Sequence, residues 1–109
     1  MLVRNTRAYR QSMKLVALAH DVAKQLPKGH AHLADQMKRA SSSVVLNLAG
    51  SARASQRERR RFFVIARGSA FEVVAVLDIC RVLEIVDDEV WHRGVELGNA
   101  AAALLAAFK

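Results

Sequence analysis

Between Thr6 and Phe108 the chain meets turn-forming residues at only three places, "LPKGH", "AGSARAS" and "VDDE". Elsewhere glycine and proline are sparse, and no stretch alternates polar with β-branched apolar side chains as a strand would. Four long segments remain, and each reads as a helix. The first spans about Thr6 to Leu26, with Tyr9, Met13, Val16, Ala19 or Ala23, and Leu26 at helical spacing, until Pro27 and Gly29 stop it. The second runs from about His30 to Ala49 and ends at Gly50. Ser55 and Glu58 form an S-x-x-E capping box that opens the third, which continues to about Ile85. Asp87 is the N-cap expected for the fourth, with Asp88 and Glu89 where the helix dipole favours negative charge, and that helix runs to Phe108.

Two long hairpins joined by short loops predict an all-α, up-down-up-down antiparallel four-helix bundle occupying residues 1–109 as one domain. A hydrophobic content of 52% over 109 residues is enough for one such core and too little for two. The third helix, at roughly 31 residues and about 46 Å, is the longest. On a helical wheel its core stripe reads Phe62, Ile65, Ser69, Val73, Val76, Cys80 and Leu83. Phe63, Phe71, Val74, Leu77, Ile79 and Val82 fall elsewhere, so the C-terminal half of this helix is apolar nearly all round. One small bundle does not cover that much surface, and self-association is the expected remedy. Phe71 and Val74 are the subunit contacts this implies.

Glu72 falls on the wheel beside the core stripe, where a carboxylate needs a partner. Arg39, with Gln36 and Asn47, is expected to complete a structural polar network that fixes helix register. Gly94 and Gly98 share a stripe with Trp91, Ala101, Leu105 and Phe108, and are expected to admit a neighbouring helix at close range. Gly68 reads the same way.

No catalytic pattern emerges. Glu72 has neither a second acid nor a histidine beside it, so general acid/base chemistry lacks its usual pair. Ser41, Ser42 and Ser43 lack a base, and helical serines commonly bond their own backbone. The four histidines, His20, His30, His32 and His92, do not form a ligand set with Cys80, and no C-x-x-C or H-E-x-x-H is present, so no metal is expected. His30 or His32 reads instead as a helix-start residue. Neither glycine-rich phosphate-binding motif occurs, so no nucleotide cofactor is expected. A single cysteine excludes an internal disulfide framework, and "MLVRNTRAYR" lacks the apolar run of a signal peptide, which together fit a cytoplasmic setting. The most apolar stretch, "LGNAAAALLAAF", is shorter than a membrane span, and no membrane association is expected.

Charge is the remaining signal. The net charge is +7, but residues 1–67 hold 14 lysines and arginines against three acids, whereas residues 68–109 hold three against seven. Such asymmetry suits a polyanion such as RNA or DNA, head-to-tail self-association, or simply a solvated basic surface. The densest run, "SARASQRERRRFF", places cations at a helix start, where the backbone dipole opposes them. Arg53, Arg57, Arg60 and Arg67 are the candidate nucleic-acid contacts. Arg61 falls on the side of Glu72 and reads as a structural or subunit-contact residue. The basic run lacks interleaved exposed aromatics able to stack on bases, so low sequence specificity is expected.

The run "QMKRASSSVVLNLAGSARASQRERRRFFVIARGSAFE" resembles the bacterial four-helix bundle family of 23S rRNA-intervening-sequence (S23) proteins. That family's pattern is Q-x-x-R-A, then S-I-P-x-N-I-A-E-G-x-G-R-x-S, then R-F-L-x-I-A-x-G-S-x-x-E. Gln36, Arg39, Ala40, Ser43, Asn47, Ala49, Gly50, Arg53, Ser55, Arg61, Phe62, Ile65, Ala66, Gly68, Ser69 and Glu72 fall on it in order. Val45 replaces the family's proline, which should straighten the second helix, and the glutamate of A-E-G is missing between Ala49 and Gly50. The resemblance implies a four-helix bundle assembling into a homopentameric ring. Some members are encoded within intervening sequences of 23S rRNA genes, and a distantly similar group assists reverse transcriptases through a basic, nucleic-acid-binding barrel. The family has no agreed biochemical function and no recognised catalytic residues. The expectation is therefore a non-enzymatic homo-oligomer binding RNA or DNA mainly through phosphates. The alternative is a protein–protein interaction scaffold whose basic patch recognises acidic helices.

Overall fold

The computed structural model describes residues 2–108. The described residues form four α-helices, α1 (Arg7–Gln25), α2 (Ala31–Ser51), α3 (Gln56–Val82) and α4 (Asp88–Ala106), with a 3-10 turn at Val3–Asn5 before them. Each helix packs on its neighbour in sequence, and α4 returns to α1. Neighbours run in opposite directions. Ser43 meets Ser69 while Gly50 meets Phe62, and Gly94 meets Leu77 while Phe63 meets Phe108. The bundle extends 43 × 22 × 18 Å.

The caps explain the boundaries. Thr6 precedes α1, its Oγ1 accepting from the Tyr9 amide at 3.1 Å while its hydroxyl donates to the Val3 carbonyl. His30 occupies the N-cap position of α2. Ser55 Oγ accepts from the Glu58 amide at 3.3 Å, and its hydroxyl donates to the Glu58 carboxylate at 2.8 Å. This is a compact variant of the expected box, in which serine rather than a backbone amide engages the carboxylate. Asp87 is the N-cap residue of α4, although its side chain makes no cap hydrogen bond.

The third helix ends sooner than its pattern predicts. Glu84 takes a left-handed φ of 58°, the Ile85 amide donates to the Cys80 carbonyl, and the Glu84 amide donates to that of Arg81. These two bonds form a Schellman cap, which glycine usually closes, so sequence gave no warning of the stop. α2 runs unbroken through Val45, as expected without the proline, and passes Gly50 to end at Ser51.

Two predicted core stripes are rotated. In α1 the buried residues are Ala8, Ser12, Leu15, Leu18, Ala19 and Val22, and Met13 faces solvent. In α3 they are Phe63, Ala66, Ala70, Val73, Val76, Leu77 and Cys80, whereas Ile65 and Leu83 are exposed and Phe62 and Ser69 are half-buried. The reason is size. Where helices approach closely, alanine and serine fill the interior, and a reading weighted towards large apolar residues misses them.

Close approach is most evident at α4. A methyl group on Gly94 would lie 2.5 Å from Leu77 Cδ1 and 3.1 Å from Leu18 Cδ2, and one on Gly98 would lie 2.5 Å from Val74 Cγ2. Both glycines therefore do what the sequence predicted. Gly68 does not, because nothing lies within 4 Å of the place a methyl would occupy.

Candidate nucleic-acid interface

Antiparallel packing brings the start of α1, the α2–α3 connection and the end of α4 into one half of the bundle. Residues 2–13, 44–68 and 98–108 together hold nine arginines and one acid, Glu58. The opposite half, residues 14–43 and 69–97, holds nine acids and seven cations. The net charges of these halves, +8 and −2, lie closer together than the +11 and −4 of a division at residue 67, but the basic half keeps a single acid. Arg4, Arg7 and Arg10, already counted in the basic first 67 residues, were not named as candidate contacts from sequence. The up-down-up-down order brings the start of α1 to the same end of the bundle as the start of α3, with α2 and α4 between them.

Arg53 lies in the turn after α2, and Arg57 and Arg60 lie in the first turns of α3; all three are exposed. Arg67 is half-buried further along the same helix. Arg60 and Arg67, two turns apart, line one cleft between α3 and α4 with Gln56, Val64 and Phe108. Its inner wall is Phe63, whose ring packs against Phe108 at a centroid separation of 4.7 Å. Among the described residues no carboxylate forms an ion pair with any of these arginines.

The predicted polar network is not assembled within the chain. Gln36, Arg39 and Glu72 are all exposed, because the rotation of the α3 stripe turns Glu72 outward, and no hydrogen bond or ion pair links them among the described residues. The half-buried network lies one turn away. Asn47 Nδ2 donates to the carbonyl and hydroxyl of Ser43 at 2.9 and 3.0 Å, and Ser43 Oγ shares a 2.8 Å hydrogen bond with Ser69 Oγ across the α2–α3 contact. Ser41 bonds back to the Lys38 carbonyl, as a helical serine was expected to.

Of the proposed subunit contacts, Arg61 and Phe71 are exposed, the latter by 51%. Val74 is half-buried and turns part of its side chain towards α4, against Gly98. The apolar face that α3 presents outward is instead Val64, Ile65, Phe71, Ile79 and Val82. Gly68 and Ala75 lie between them.

A family model described as 23S rRNA-intervening sequence protein matches residues 4–107. The chain belongs to this family. Membership in the 23S rRNA-intervening sequence proteins covers all four helices, including the first and last, where the sequence motif did not reach. No curated protein matches the chain at a significant level. Among the described residues no cluster of three or more histidine, cysteine or acidic side chains could hold a metal ion, and no helix is long and apolar enough to cross a membrane. Cys80 is buried, and burial pushes its thiol pKa up.

Proposed function

We propose that this protein is a non-enzymatic homo-oligomer whose basic half binds RNA or DNA through phosphate contacts. The observation that carries the reading is the gathering of nine arginines with one acid from three separate segments of sequence. A polyanion placed there releases condensed counterions without having to displace existing ion pairs. The start of α3 adds the field of its backbone dipole, so the cations that looked misplaced there reinforce an attraction for phosphate. Arg53, Arg57, Arg60 and Arg67 supply much of it, and Arg4, Arg7 and Arg10 extend the same surface.

Assembly follows from a different observation. The outward face of α3 beyond the cleft leaves Phe71, Ile79 and Val82 between 45% and 82% exposed, with small residues beside them that permit close approach. A second copy is the occupant this reading assigns, in a ring of the homopentameric kind implied by the family resemblance. A mass of one chain by light scattering at micromolar concentration would remove it.

Fluorescence anisotropy with labelled RNA across a salt series tests the binding. Affinity should fall linearly with salt on logarithmic axes, at about 0.7 per phosphate contact for a single strand. Absence of binding at low salt, or binding indifferent to salt, would overturn the reading. The scaffold alternative predicts a protein partner that survives nuclease treatment in a pull-down.

A further inference from the structure

The cleft between α3 and α4 differs from the rest of the basic surface because it is both charged and apolar. Gln56, Arg60 and Arg67 stand along its polar side, and Phe63, Val64 and Phe108 form its apolar side, around a volume of about 410 Å³. That is the size of a small-ligand site. Arg67 is half-buried there, and among the described residues it has no ion pair. A partly desolvated guanidinium beside a wall of aromatic and aliphatic carbon fits a ligand that joins an anion to a flat, weakly polar body.

We infer that this cleft receives one unpaired base of a single-stranded nucleic acid, with the flanking phosphates on Arg60 and Arg67. The inference rests on the proposal that the basic half binds nucleic acid, and it adds the strand class and the point of insertion. Arg60 and Arg67, two helical turns apart with Val64 midway, can grip the phosphates that flank the base while the base lies against Val64 and Phe108. Guanidinium planes also stack on bases, so Arg60 and Arg67 can act on the base as well as on the backbone. A base held in a duplex cannot enter without being unstacked, which makes the cleft selective for single strands. Charge complementarity selects this occupant over an uncharged apolar peptide, since Arg60 and Arg67 line the cleft and seven further arginines belong to the same half of the bundle. The basic run holds no exposed aromatic between its arginines, and Phe108 comes to the cleft from the far end of the chain.

Binding of a short single-stranded RNA is compared with that of the same strand made abasic, in low salt and across a salt series. The intact strand should bind at least about five-fold more tightly, since stacking one base contributes roughly 1 kcal/mol or more. Phe108→Ala and Val64→Ala should each reduce that preference without changing the salt slope. Val64 is 51% exposed, so its truncation leaves the fold intact even if the Phe108 variant is unstable. Equal, salt-dependent binding of intact and abasic strands would overturn the cleft inference and leave the basic-half reading standing. A base preference untouched by Val64→Ala in a folded protein would place the base elsewhere and overturn it too. Binding of neither strand would remove both readings.

Discussion

The two halves of the bundle treat charge differently. Beside the α3–α4 turn three charged side chains are tied down: Trp91 Nε1 donates to Asp78 at 2.9 Å, the Arg81 guanidinium lies 3.9 Å above the Trp91 ring, and Arg81 Nε sits 3.3 Å from Asp88. In the other half nine arginines share one acid, and Arg10 at least is fixed only by donating to the Asn5 carbonyl. The same chain therefore builds a closed electrostatic clamp at one end and leaves cations available at the other. Exposed ion pairs contribute little to stability, so the clamp is chiefly geometric: it ties the end of α3 to the start of α4 across the turn. The difference lies in the supply of acids: Arg81 has Asp78 and Asp88 within its cluster, whereas Glu58 is the one acid among the nine arginines of the other half.

The largest expected effect breaks this comparison directly. Replacing Arg53, Arg57, Arg60 and Arg67 together by alanine should weaken binding of single-stranded RNA by more than about 100-fold at low salt and lower the salt slope by about 3. Replacing Lys24, Lys28, Lys38 and Arg39, the same charge removed from the other half, should leave both nearly unchanged. Equal losses from the two variants would mean that net charge, rather than its placement, drives binding.

Next comes a contrast between packed and open glycines. Gly98→Ala pushes a methyl against Val74, whose β-branched side chain has little rotational freedom, and should cost about 2 kcal/mol. In thermal unfolding that is roughly 8–16 °C for a domain of this size. Gly94→Ala meets the ends of two leucines and should cost less. Gly68→Ala meets nothing and should stabilise the single chain by up to about 1 kcal/mol through helix propensity. If a second copy packs on α3, the same substitution should weaken assembly in light scattering. Stability and assembly then move in opposite directions, which separates an interface glycine from an idle one.

Much of this architecture was legible in the sequence because breakers and caps act locally. Pro27 and Gly29, the Ser55–Glu58 pair and Asp87 mark boundaries through backbone chemistry that neighbours in sequence decide. The positions of α1 and α3 on their own axes were not legible, because Ala8, Ser12, Ala66 and Ala70 are core only by virtue of what packs on them. Glu84 is a similar case: a glutamate at positive φ stops α3 where a glycine would have announced it. At the site, Arg60 and Arg67 could be paired from helical spacing alone. Phe108, more than forty residues away, could not be added without knowing that the end of α4 returns to the start of α3.

The clamp itself should show a smaller effect. Trp91→Phe keeps most of the ring area but loses the hydrogen bond to Asp78 and weakens the contact with Arg81, at a cost of about 1 kcal/mol. Chemical denaturation should report it as a lower midpoint with an unchanged slope. RNA affinity should not move, since the clamp belongs to the closed half. A loss of affinity would mean that the two halves are coupled.

Cys80 gives the smallest effect and the one whose sign is most constrained. Its thiol is buried beneath the same turn, and burial raises its pKa above the ordinary thiol value. The unfolded chain releases the proton near that ordinary value, about 8.5, while the folded chain retains it. Stability from this group is therefore fully present at neutral pH and is lost as pH rises from that point through the higher folded value. Between pH 7 and 9.5 the wild-type chain should lose up to about 1 kcal/mol that Cys80→Ala does not, when each is compared with itself at pH 7. A thiol reagent should label the folded protein slowly throughout this range; rapid labelling at pH 8 would mean that the closed half opens, and that its clamp does not hold α3 to α4 across the turn.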